Sequence, residues 1–310
     1  MYCFGVDIGG TTVKMGVFSE EGTLLDKWEI PTRRENGGKA ILPDVAQAIL
    51  DKMKEKTIAK EQVLGVGVTV PAPVVGNGIV KQTTNLGWGY TEVDRELGEL
   101  TGLRIQAAND ANAAALGEMW KGGGEGYQNL VMVTLGTGVG GGIIINGKML
   151  TGANGAGGEI GHIVMEPDEV ERCGCGKTGC LEQYASATGI ARLARRELAE
   201  TNEDTVLNAE TVTAKDVFDA VKVGDPVAIA IAKKFGRYLG HGLASVAALV
   251  DPEAIVIGGG VSKAGEILFD FIQGPYMEKA FYSNKEVDFV LAKLGNDAGI
   301  YGAAKMILED

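Results

Sequence analysis

An apolar strand, a glycine-rich turn and a second strand follow one another twice in this chain, and that repetition narrows the fold more than anything else in it. The first copy runs from Tyr2 to Ile8, through Gly9-Gly10-Thr11-Thr12, to Val13–Phe18. The second runs from Leu130 to Leu135, through Gly136-Thr137-Gly138-Val139-Gly140-Gly141-Gly142, to Ile143–Asn146. Copies near the start of each half predict a duplicated architecture. Around them strands and helices alternate. Further strands are expected at Leu24–Ile30, Val63–Val70 and Leu103–Ala107, and helices at Ala40–Lys56, Val93–Leu100 and from Asn109-Asp110 to Trp120. Helices dominate Gly189–Leu249, a strand leads from Ala254 into Gly258-Gly259-Gly260 and a helix near Lys263, and Gly299–Leu308 closes the chain. This is an α/β protein with mixed sheets, expected as two lobes around a cleft. The expected division is 1–107 as a small N-terminal lobe, completed by 299–310, against 108–298 as the large lobe.

Charge and composition exclude several functions. The net charge of −12 repels phosphate backbones and anionic headgroups, so neither nucleic acid nor a membrane is an expected partner. No basic segment precedes the first apolar strand, and no apolar run is long enough to span a bilayer, so a cytoplasmic location is expected. Three of the four cysteines fall within one short stretch, which fits a metal site in a reducing compartment better than disulfides.

Two familiar patterns fail on context. Gly136, Gly138 and Gly141 match a dinucleotide-binding fingerprint, but the chain continues as a strand where that motif needs a helix. Gly176-Lys177-Thr178 imitates the end of a P-loop, yet Glu171 stands where its first glycine belongs. Both glycine turns can still bind phosphate, because successive backbone N–H groups in such turns converge on anions. Thr11, Thr12 and Thr137 add hydroxyl donors, and Asp7, on the strand entering the first turn, could hold Mg²⁺ through water. Gly9, Gly10, Gly136, Gly138 and Gly258-Gly259-Gly260 complete the nucleotide-binding set.

The cysteine cluster is the sharpest signal. Cys173, Cys175 and Cys180 with nearby His162 supply three thiolates and an imidazole, the donor set of a closed structural zinc site. Asp110 lies in the first turn of a helix after a strand. Complementing the helix dipole would alone explain an acid there; the same position suits a base for phosphoryl transfer, which needs a carboxylate near the attacking hydroxyl.

With these motifs in hand, the sequence resembles the ROK family of sugar kinases and sugar-responsive repressors along its whole length. The resemblance rests on DIGGT (Asp7–Thr11), TNLGW (Thr84–Trp88), AND (Ala108–Asp110), LGTGVGGG (Leu135–Gly142), GEIGH (Gly158–His162), CGCGKTGCLE (Cys173–Glu182) and GGGVS (Gly258–Ser262). It implies the actin-like ATPase (ribonuclease H-like) fold and an ATP-dependent hexose kinase, with glucose the expected substrate. Asn85, Asn109, Asp110, Glu159, His162 and Glu182 would be the sugar-binding set and Asp110 the base. Mg²⁺ would accompany ATP, zinc would be structural, and the assembly would be a homodimer or homotetramer. Pro71-Ala72-Pro73-Val74 departs from the Pro-Gly-Pro-Val of many members, which bears on which hexose fits. N-acetylmannosamine, fructose and allose remain open alternatives. A sugar-sensing regulator of this family would carry a helix-turn-helix ahead of the first turn, where this sequence already has Asp7.

Overall fold

The computed structural model describes residues 1–309. Strands β1 (Tyr2–Ile8), β2 (Thr12–Ser19) and β3 (Leu24–Pro31) follow one another as antiparallel neighbours. After α1 (Glu35–Gly38) and α2 (Ile41–Glu55), β4 (Val63–Val70) joins β1 in parallel. A small sheet of β5 (Val74–Val75), β6 (Ile79–Val80) and β7 (Thr91–Glu92) precedes α3 (Val93–Thr101), β8 (Ile105–Asn109) and α4 (Asp110–Lys121). β8 pairs with β4 in parallel, giving a mixed sheet of order β3-β2-β1-β4-β8.

The second copy of the pattern supplies β9 (Leu130–Leu135), β10 (Val139–Ile145) and β11 (Lys148–Met149). Helices α5 (Glu182–Ala185), α6 (Ala187–Glu200), α7 (Ala214–Lys222) and α8 (Pro226–Val250) come next. Then follow β12 (Ala254–Gly258), α9 (Ile267–Lys279), β13 (Asp288–Leu291) and α10 (Ala298–Leu308). The second sheet has the order β11-β10-β9-β12-β13, with β9, β12 and β13 parallel. Local chemistry sets the boundaries: Asp225 accepts the Ala228 N–H and Pro226 occupies the first turn of α8.

The chain packs as two units. One holds Met1–Gly126, Gly142–Gly158 and the segment from Leu294 onward; the other holds Tyr127–Gly141 and Glu159–Lys293. In the first, valines of β1, β2 and β4 meet Val45 and Ile49 of α2 in an apolar core. α10 covers the other face, packing on α4, β1 and β4. The approach is close enough that a Cβ at Gly67 would lie 1.8 Å from the Ala303 carbonyl oxygen, so only glycine fits there.

Three details differ from expectation. The division expected at residue 107 puts α4 on the wrong side: α4 packs on α10 and β8, so the first unit continues to Gly126. Gly140-Gly141-Gly142, expected as turn, belong to β10. After Gly258-Gly259-Gly260 a short 3-10 turn, Val261–Ala264, comes first, and α9 starts only beyond Gly265, whose φ of +90° interrupts the helical path.

Candidate active site

In the first unit the β1–β2 turn is drawn tight. The Gly9 N–H donates to the Thr12 carbonyl at 3.1 Å, and the Thr32 hydroxyl donates to the Gly9 carbonyl at 2.7 Å. Asp7 enters this turn with its carboxylate accepting the Thr69 hydroxyl at 2.6 Å. Burial pushes the Asp7 carboxyl above its ordinary range; the Thr69 hydroxyl and the Lys14 ammonium partly offset this. The Asn85 backbone lies against Gly10, so the expected sugar-binding and phosphate-binding residues meet here.

Asn109 ends β8 and caps α4. Its Oδ1 accepts the Ala111 and Asn112 N–H groups at 3.0 and 3.1 Å. Its Nδ2 donates to the Ala72 carbonyl at 3.3 Å and to Asp110 Oδ1 at 3.1 Å. Asp110 Oδ1 also accepts the Ala111 N–H at 2.8 Å. Asn109 thus fastens Asp110 to the loop through Ala72, and both of its donor hydrogens have protein acceptors.

The second unit gathers the remaining expected residues. Its turn closes with the Gly136 N–H on the Gly138 carbonyl at 3.0 Å. The Thr188 hydroxyl reaches the Thr137 carbonyl at 2.7 Å, and the Ala187 N–H reaches Gly136 at 2.8 Å. Gly259 lies against Leu135, bringing the third glycine segment beside this turn. Glu182, first residue of α5, accepts the Val139 N–H at 3.0 Å and sits so near Gly138 that a Cβ there would be 2.2 Å from its Oε2. Glu159 precedes and His162 ends a single 3-10 turn, with Oε2 and Nε2 3.9 Å apart.

The ligand atoms of His162, Cys173, Cys175 and Cys180 lie within 4.8 Å of one another. Cys175 and Cys180 sulfurs are 3.6 Å apart, and Cys173 Sγ is 3.9 Å from His162 Nδ1. Two sulfurs bound tetrahedrally to one zinc at about 2.3 Å stand about 3.8 Å apart, so the set fits that ion. Burial opposes ionisation of all three thiols, pushing Cys173 to about 12 and Cys180 upward; at Cys175 the Lys177 N–H and neighbouring thiols outweigh it. Cys173 Sγ also lies 3.5 Å from Glu182 Oε1, which links the cluster to the glycine turn.

Sequence reading did not find Thr69 as the partner of Asp7, nor the Val139 N–H as the partner of Glu182. Both are long-range pairs with no local signature.

Two mixed sheets, each opening on a strand–glycine turn–strand and extended by parallel strands, define a protein of the actin-like ATPase fold. The ROK family model matches residues 3–310. The chain is 43% identical to a glucokinase of Halalkalibacterium halodurans over 309 residues, covering 98% of this chain and 94% of that protein. It is 39% identical to a glucokinase of Thermotoga maritima, covering 98% and 96%. Among solved structures it resembles a ROK family glucokinase from Streptomyces griseus in complex with glucose and AMPPNP, at TM-score 0.77 and 33% identity with both chains fully covered. The chain belongs to the ROK family.

Proposed function

We propose that the chain is an ATP-dependent sugar kinase that phosphorylates glucose at its 6-hydroxyl. The observation carrying this reading is Asp110 at the first turn of α4, tied by Asn109 to the Ala72 carbonyl. Whole-length similarity to glucokinases supports glucose as the sugar. The Asp110 carboxylate takes the proton of the 6-hydroxyl as that oxygen bonds to the γ-phosphorus. The bond from phosphorus to the bridging oxygen breaks, and ADP leaves with the electron pair.

Backbone N–H groups of the Gly9–Thr12, Gly136–Gly138 and Gly258–Gly260 segments, with the Thr11, Thr12 and Thr137 hydroxyls, receive the nucleotide. Mg²⁺ entering with ATP supplies charge neutralisation at the phosphates, and Asp7 would hold it through water. Asn85, Asn109, Glu159, His162 and Glu182 bind sugar hydroxyls. His162, Cys173, Cys175 and Cys180 would hold a structural zinc, whose thiolates require a reducing compartment such as the cytoplasm. Assembly as a homodimer or homotetramer, and function without nucleic acid or membrane, belong to the same proposal.

Its test is ADP release with Mg·ATP across hexoses and N-acetylhexosamines, with the Asp110→Asn protein as control. Turnover concentrated on glucose and lost in the control upholds it. Turnover centred on N-acetylmannosamine, fructose or allose moves the substrate, and no sugar-dependent turnover overturns it.

A further inference from the structure

A cavity of about 300 Å³ runs along β8 in the first unit, lined by Asp94, Gln106, Asn109, Asn112, Thr151 and Met306 among others. Of the residues proposed for sugar and nucleotide only Asn109 lines it; Asp110, the glycine turns, Asn85, Glu159, His162 and Glu182 are not part of its wall. Its volume falls at the lower end of the range for small-molecule pockets, about 300–1,000 Å³.

Two of its lining amides carry an unpaired oxygen. Asn112 Oδ1 and Gln106 Oε1 are buried without a hydrogen-bond partner, and Asn112 is only 2% exposed. Asp94 has one oxygen on the Ala107 N–H at 2.8 Å. Buried acceptors of this kind are costly to leave unpaired, so they call for a ligand rich in donors. Val74, Val75, Met149 and Met306 add an apolar stretch to a wall that also carries Asn77, Asn109 and Thr151. No lysine or arginine lines the cavity, so an anionic ligand would meet Asp94 uncompensated. A ring with several hydroxyls and apolar C–H faces meets every one of these conditions.

We infer that this cavity is a second, non-catalytic site for an uncharged polyol of monosaccharide size, its hydroxyls donating to Asn112 and Gln106. An occupant would touch Asn109, the residue that fastens Asp110. The two sources of such a ligand are the substrate sugar itself and a different polyol.

Calorimetric titration of the full chain with myo-inositol and with D-glucose tests this without relying on turnover. Ala153 is exposed at the cavity wall, so Ala153→Trp fills the space without disturbing the core. Asn112→Leu removes the buried acceptor; should it fail to fold, Ala153→Trp carries the test alone. Expected is one myo-inositol site, weakened at least tenfold in Ala153→Trp while the glucose KM stays unchanged. A second glucose equivalent lost in the same variant would identify the substrate sugar as the occupant and equally support the site. Binding of neither probe, or binding that Ala153→Trp leaves intact, would overturn the proposal and leave a cavity filled by water alone.

Discussion

Glu182 accepts the Val139 N–H at 3.0 Å and so pins the turn between β9 and β10. One carboxylate therefore faces both the glycine turn expected to bind phosphate and Cys173 of the expected metal cluster. A hydrogen bond to a charged group is worth about 1.5–3 kcal/mol. Glu182→Ala should raise the ATP KM roughly 10- to 100-fold through the freed turn, and should raise the sugar KM as well. Glu182→Gln keeps an oxygen for Val139, so its effect should fall mainly on the sugar. Steady-state kinetics with each substrate varied separates the two; equal ATP effects in both variants would show that the Val139 contact is inert.

Asn109 has two separable jobs, capping α4 and donating to Asp110. Loss of an N-cap costs about 1 kcal/mol. Asn109→Ala should lower stability by that order and reduce kcat, whereas Asn109→Ser restores the cap but not the donor. Stability should therefore return in the serine variant while kcat stays low. Denaturant titration beside kinetics checks this, and kcat recovering together with stability would reduce Asn109 to a cap.

These pairs also mark what the sequence could and could not reveal. The glycine–threonine turns were legible because they interrupt β-branched runs, and the cysteine set because its spacing is local. The unit boundary was not, because the place of α4 depends on α10, which lies far along the chain and reaches it only in the fold. Gly142 read as turn because glycine carries no pattern; in β10 it backs directly onto Ala111, where a Cβ would lie 2.6 Å from the carbonyl oxygen. The residues proposed to bind sugar were named only through resemblance, since Glu159 and His162 are brought within 3.9 Å of each other by a 3-10 turn whose path no periodicity encodes.

Zinc at the His162–Cys173–Cys175–Cys180 cluster should appear as one equivalent per chain by elemental analysis. Cys180, fully buried, anchors the loop just ahead of Glu182. Cys180→Ser, or removal by a strong chelator, should abolish the zinc, lower the melting temperature and weaken sugar binding at least tenfold. Cys3→Ala, in β1 of the other unit, should keep its zinc. Full sugar affinity in zinc-free protein would disconnect the metal from the site.

Asp94 gives the chain a pH dependence of its own. Burial raises its carboxyl from 3.8 to about 6, opposed only by the Ala107 N–H. The fold thus favours the protonated acid and resists its ionisation. Stability from this group is present at low pH and is lost as pH rises from about 4 to about 6, with the loss complete above that window. An asparagine keeps the acceptor for the Ala107 N–H and never ionises. Asp94→Asn should therefore be more stable than the parent at pH 7.5, by a margin that shrinks below pH 6 and disappears near pH 4. Parallel denaturant titrations across that range measure the margin directly. A difference that stays constant with pH would mean that Asp94 acts through packing and not through its charge.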